Sequence, residues 1–282
     1  MQGFKTAFRF AKLSVLGETK SPNFYLVLLI VFFMIQYNFS GISSFLYANG
    51  DKMNVFEFYI FFMSTPQSQL LYFVGLLLLS CGVLFYNSGA AYYLIRADRE
   101  KWIMGQLLYL ISMVVFYNVF ILGTLCTACG GNLTLKNGWS EASFIMGQYS
   151  PESLGVAPII AIPYRLLQMP PVTAGILTFI LAFFIGLSIG SLMIFTGIRN
   201  RTVQGISLLV ILWFIDFLVD AGSPNNIFNY FSPFGMSRIS RTSLNAAGPS
   251  AAYAFLFLFF LMLAGMYALL RTAKKIDFIK IE

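Results

Sequence analysis

The sequence predicts an all-α polytopic membrane protein with six transmembrane helices, and three observations carry that prediction. Of the 282 residues, 58% are apolar and only 10% charged, whereas a soluble domain carries about 25% charged residues to solvate its surface. The apolar residues gather into six runs, most of them long enough to cross about 30 Å of hydrocarbon. No stretch between these runs reaches the roughly 50 residues of a small soluble domain. The chain reads as one membrane domain over residues 1–282.

The elements follow in order. Residues 1–20 read as an amphipathic interface helix, with Phe4, Ala7, Phe8, Ala11 and Val15 on one face and Lys5, Arg9 and Lys12 as a basic stripe beside it. Such a helix lies in the bilayer interface, its rings in the acyl boundary and its cations near headgroups. It serves either as an anchor for the first span or as a mechanical element. With four basic residues and no continuous apolar core, this stretch does not resemble a cleavable signal. The spans are expected at about 23–46, 70–94, 103–126, 172–198, 205–219 and 251–270, the fifth being the shortest and carrying an acid.

Basic residues set the orientation. Thirteen of the eighteen lie beside the termini and the even-numbered turns: Lys5, Arg9, Lys12, Lys20, Arg96, Arg99, Lys101, Arg199, Arg201, Arg271, Lys274, Lys275 and Lys280. Lys52, Lys136, Arg165, Arg238 and Arg241 lie on the other face. Both termini are therefore expected in the cytoplasm, with the chain multi-pass in a cell membrane.

Several segments carry chemistry. The turn between spans two and three holds Arg96, Asp98, Arg99, Glu100, Lys101 and Trp102. It reads as a charged elbow able to dock on another protein through rim ion pairs, or as an ordinary positive-inside loop. Asp216 and Asp220, four apart, share a helix face. Two readings follow: intramembrane carboxylates facing a cavity or partner, or acids at an early helix end in the outer headgroup region with Arg238 or Arg241 nearby. The stretch 225–236, with Phe228, Tyr230, Phe231, Pro233 and Phe234, is too polar to cross and too aromatic for a solvated loop. It is expected to be an outer re-entrant element packed against protein. The 130–171 connection is long and contains Pro158, Pro163, Pro170 and Pro171.

Cys126 and Cys129 have the C-x-x-C spacing, but with no second pair and no histidine a zinc site lacks ligands. Two small residues at a span end is the simpler reading, with a local disulfide left open. Gly186 and Gly190 permit close helix approach, either at a subunit contact or within the chain.

The absences narrow the function. Without histidine there is no His-based metal site, Ser-His or Cys-His pair, or imidazole switch. Neither a phosphate-binding Gly-x-x-x-x-Gly-Lys-Ser/Thr loop nor a dinucleotide turn is present, so nucleotide hydrolysis would need another polypeptide. No nucleic-acid partner is expected, because the positive charge is explained by topology. No metal or cofactor is expected in this chain.

The layout resembles the membrane subunit of an ABC-2 type permease. The resemblance rests on the basic helix before the first span, on Arg99-Glu100-Lys101-Trp102-Ile103-Met104-Gly105 entering the third, and on Tyr230-Phe231-Ser232-Pro233-Phe234 before the last. It implies cytoplasmic ABC ATPase subunits that hold ATP and Mg, and a second six-span permease as homo- or heterodimer. It also implies that 96–102 couples to the ATPase with the N-terminal helix close by, and that the outer element helps close the exit. The long 130–171 connection and the two acids depart from the family pattern. The expected function is export of an amphipathic or lipophilic substrate, such as a peptide or antibiotic. The alternative is an ion-coupled secondary transporter using Asp216 and Asp220, which would show inverted repeats and broken helices. A membrane-embedded enzyme is disfavoured, since no acid, base and nucleophile set clusters at one depth.

Overall fold

A computed structural model describes residues 2–81, 99–149, 154–156, 166–199, 201–220, 227–242 and 249–273. The fold is almost entirely helical: α1 (Gln2–Glu18), α2 (Pro22–Asn49), α3 (Val55–Ser64), α4 (Pro66–Cys81), α5 (Arg99–Ala128), α6 (Glu141–Gln148), α7 (Pro171–Ile198), α8 (Thr202–Asp220), α9 (Pro233–Met236) and α10 (Ala251–Ala273). Two-residue strands β1 (Met53–Asn54) and β2 (Leu133–Thr134) pair in parallel. Among the described residues, four helices are long and apolar enough to cross a membrane: α2, α5, α7 and α10. A fifth candidate is the bent pair α3–α4, and α8 is a shorter apolar helix. The second expected span, 70–94, is described only as far as Cys81, where it belongs to α4.

Local chemistry sets these boundaries. Pro22 and Pro171 occupy first-turn positions, where a missing N–H costs nothing and φ is already helical. α3 begins at a reciprocal cap: the Asn54 side chain accepts from Phe56 N–H while Glu57 accepts from Asn54 N–H, each at 2.9 Å. It ends at Thr65, held extended at φ −84° and ψ 123° because the following Pro66 disfavours helical backbone before it. The Thr65 hydroxyl and N–H both bond the Phe61 carbonyl. The chain turns through 89° into α4.

α5 and α7 form the centre, with half of their most apolar windows buried, against 28% for α2 and 22% for α10. The buried side of α2 is one stripe, Phe24, Val27, Val31, Ile35, Phe39, Ile42 and Leu46, spaced as a helix with a single protein-facing seam requires. Gly186 and Gly190 of α7 serve this internal packing. A Cβ at Gly186 would stand 2.9 Å from Val114 Cγ1, and one at Gly190 would strike the Leu110 methyls. A polar knot joins four helices at the core: Tyr59 donates to Asn118 Oδ1 (2.6 Å), Asn118 Nδ2 to Tyr72 (3.1 Å), and Tyr72 to the Ala182 carbonyl (3.0 Å).

At the end of the bundle where α2 finishes, the 129–149 connection is anchored rather than loose. Buried Glu57 accepts from Ser140 N–H (3.2 Å) and from the hydroxyls of Ser140 (2.8 Å) and Ser143 (2.5 Å). Asp51 accepts from Ala142 N–H at the start of α6 (2.7 Å), where the helix dipole favours an acid. Asn54 Nδ2 donates to the Lys136 carbonyl and Trp139 Nε1 to that of Met169.

Candidate functional site

α8 lies at the edge of the bundle, with Phe214, Ile215, Phe217 and Leu218 exposed and a buried line of Gly205, Leu209 and Asp216 facing inward. Asp216 ends that line and has no exposure. Its Oδ2 accepts from Arg238 Nη2 at 2.5 Å, and its Oδ1 from Arg241 Nη1 at 2.7 Å and the Ser232 hydroxyl at 2.5 Å. Arg238 Nε donates to Gln69 Oε1 at 2.6 Å, and Gln69 Nε2 donates to the Phe234 carbonyl (3.0 Å) and the Ser237 hydroxyl (2.7 Å). Arg241 Nη2 reaches Asn229 Oδ1 at 2.7 Å.

The cluster therefore ties three separate pieces of chain together: the start of α4 just past the 89° bend, the inward line of α8, and residues 229–241. Ser232 also caps α9 by accepting from Gly235 N–H. Phe234 packs edge-on against Phe73 with ring centres 4.3 Å apart, and Tyr253 of α10 donates to the Tyr230 carbonyl. A carboxylate met by two guanidiniums and a hydroxyl clamps those groups together. In a dry site such a set holds only while every member is paired.

Searched against known protein families, curated proteins and solved structures, the chain matches none of them.

Each expected site residue can be located or set aside. Arg96 and Asp98 lie outside the described residues, and α5 opens at Arg99 with Glu100 exposed and Lys101 and Trp102 half-buried. α8 runs through both acids, so the helix does not end before them; the side chain of Asp220 lies outside the description. The stretch 228–234 divides. Phe228, Tyr230 and Phe231 are exposed, while Pro233 and Phe234 are buried. Cys126 and Cys129 are free thiols, and Cys129 donates to the Leu125 carbonyl. Among the described residues no three of His, Cys, Asp and Glu gather to hold a metal.

Gln69, Asn229 and Ser232 were not foreseen. Gln69 closes the polar run Ser64-Thr65-Pro66-Gln67-Ser68-Gln69 between two apolar stretches, and that position was its only sequence signal. Glu57 was missed as well, although Asn54-x-x-Glu57 is the signature of a helix cap.

A second polar contact lies where α1 crosses α5. Ala7 and Ala11 are buried there, and a Cβ at Gly105 would stand 2.6 Å from Phe10 Cβ and 3.0 Å from the Ala7 carbonyl oxygen. The same face of α1 continues to Ser14, which accepts from Gln106 Nε2 at 3.4 Å, and to buried Glu18. Burial raises the Glu18 carboxyl above its ordinary range. Gln106 Oε1 and the Tyr109 hydroxyl are buried beside this contact without a hydrogen-bond partner among the described residues. The face of α1 expected to dip into lipid is thus partly consumed by α5: Ala7 and Ala11 are covered, whereas Phe8 stays exposed.

Proposed function

We propose that this chain is the membrane-spanning permease subunit of an ATP-driven ABC-2 type exporter. It would have six spans and both ends in the cytoplasm, and would pair with a second six-span permease. The ATPase subunits, with their ATP and Mg, are separate chains. The cargo class is amphipathic or lipophilic molecules leaving across the cell membrane.

The observation that carries the reading is the seating of basic α1 against the opening turns of α5, at Gly105, only three residues past Trp102. A push delivered through the elbow 96–102 would be passed from the first turn of α5 to α1, because the two helices pack directly on each other at Gly105. ATP-driven closure of the partner subunits could then bias two arrangements of the spans, as any ligand with different affinity for two states does. In this reading the stretch 225–236 is the outer re-entrant element, and the Asp216 clamp, through Ser232 and the arginines that follow it, holds it against α4 and α8.

The clamp also weighs against the secondary-transporter alternative for Asp216. A carboxylate that loads and releases an ion has to be vacated, and this one is occupied by Arg238 and Arg241.

The test is affinity purification from native membranes with identification of companion chains and an ATPase assay. A nucleotide-hydrolysing companion is expected. Replacing Arg99 and Glu100 with alanine should abolish ATP-dependent transport in reconstituted vesicles while the complex still assembles. Isolation of this chain without such a companion, with transport in liposomes driven by a proton gradient alone, overturns the proposal.

A further inference from the structure

We infer that the outward face of α1 is a binding surface for anionic phospholipid headgroups. This does not depend on the transport reading. Lys5, Arg9 and Lys12 stand at i, i+4 and i+7, all exposed, on the side of the helix opposite Ala7, Ala11 and Glu18. No acid shares that side, since Glu18, the single acid of α1, is buried on the other. Interleaved with the cations are Phe8, Leu13 and Leu16, which are 59%, 48% and 46% exposed. The other side of α1 is seated on α5 through Ala7, Phe10 and Ala11 around Gly105, so the helix cannot roll to hide Phe8, Leu13 and Leu16 without losing that contact.

Depth decides what covers this face. Gly105 is the seventh residue of α5, so α1 crosses about 9 Å along the helix from Arg99 at 1.5 Å per residue. Arg99, Glu100 and Lys101 mark the end of the span where charge begins. A helix at that level lies at the headgroup–acyl boundary, where interfacial helices bury apolar side chains about 5–10 Å deep. Water does not suit Phe8, Leu13 and Leu16. An uncharged bilayer does not suit three cations without counter-ions. Phosphate-bearing anionic lipid satisfies both, and each Lys or Arg near such a surface favours it several-fold.

The experiment uses the full chain purified in detergent and titrated with phosphatidylglycerol or phosphatidylcholine, counting bound lipid by native mass spectrometry. The wild type should favour phosphatidylglycerol by about tenfold or more, given three cations, and added salt should reduce that preference. The variant K5Q/R9Q/K12Q keeps helix-forming residues and leaves the α5 contact untouched, so it should fold yet bind the two lipids within about twofold of each other. R271Q, at the end of α10, should leave the preference intact. No preference in the wild type, or an unchanged preference in the triple variant, overturns the inference. So does a triple variant that keeps the lipid preference but loses a companion protein, which would make the stripe a protein contact.

Discussion

Replacing Asp216 with asparagine should be among the most damaging single changes in this chain. The substitution keeps size and shape but removes the charge that faces Arg238, whose side chain is 3% exposed, and Arg241. Asparagine also carries an NH2 group, which would point a donor at a guanidinium or at the Ser232 hydroxyl. Removing one member of a buried ion pair costs about 3–5 kcal/mol, because the partner charge stays buried without compensation. At about 2–4 °C per kcal/mol, the midpoint of thermal unfolding should fall by roughly 10 °C. Trp213 lies one turn before Asp216 on α8 and stacks on Phe217, so tryptophan fluorescence of the detergent-purified chain reports on this region. The double variant D216N/R238Q should recover part of the loss, because it also removes the more deeply buried of the two stranded charges, with a coupling of about 1 kcal/mol or more. A midpoint for D216N within about 2 °C of wild type, under 1 kcal/mol on the same scale, would refute the clamp as a structural tie.

Three further outcomes follow from the packing. G190V should lower the midpoint by an amount matching about 1–3 kcal/mol of overpacking, since its Cβ meets Leu110; an unchanged midpoint would show that α5 and α7 part easily. The Glu18 carboxyl is raised by burial, so its contribution to seating α1 is complete below the ordinary carboxylate range and is lost as pH climbs through the raised value. Hydrogen exchange of α1 should accordingly quicken with pH, after correction for intrinsic exchange, and E18Q should flatten that trend; an identical trend in E18Q removes Glu18 as the cause. E57Q exchanges a carboxylate oxygen for a donor facing Ser140 or Ser143, a cost of about 1–3 kcal/mol. Limited proteolysis should then cut within 135–149 faster than in wild type, and equal rates would count against the anchoring of that connection through Glu57.

What the sequence made legible tracks how local the physics is. α2, α5, α7 and α10 were readable to within a few residues, because crossing a membrane is a demand on length and composition alone. α3 was not read as an element. Its apolar stretch, Val55 to Met63, is nine residues long with Glu57 inside it and gives way to Ser64, Thr65, Pro66, Gln67, Ser68 and Gln69, so a span-length window straddling the bend sees a loop. The capping pair Asn54 and Glu57 was the better clue, because it depends on neighbours three residues apart. For Asp216, the sequence offered two readings, and the structure supplies its partners. The helix runs on through Asp220, and Asp216 is buried with Arg238 and Arg241 as its partners. Gln69 could not be joined to them by inspection, since 169 positions separate it from Arg238.

The N-terminal helix shows why an apolar face, once found, still does not name its neighbour. Phe4, Ala7, Phe8, Ala11 and Val15 are one face by period, and period carries no information on whether lipid or protein lies opposite. Residue size does. Ala7 and Ala11 bury little apolar area in a bilayer, but they let two backbones approach, and α5 offers Gly105 in return. Phe10 joins that contact through its Cβ, whereas Phe8 is turned away from it and left exposed with Leu13 and Leu16. Lys5, Arg9 and Lys12 stand on the side of α1 opposite the α5 contact, a placement that the apolar face alone does not reveal.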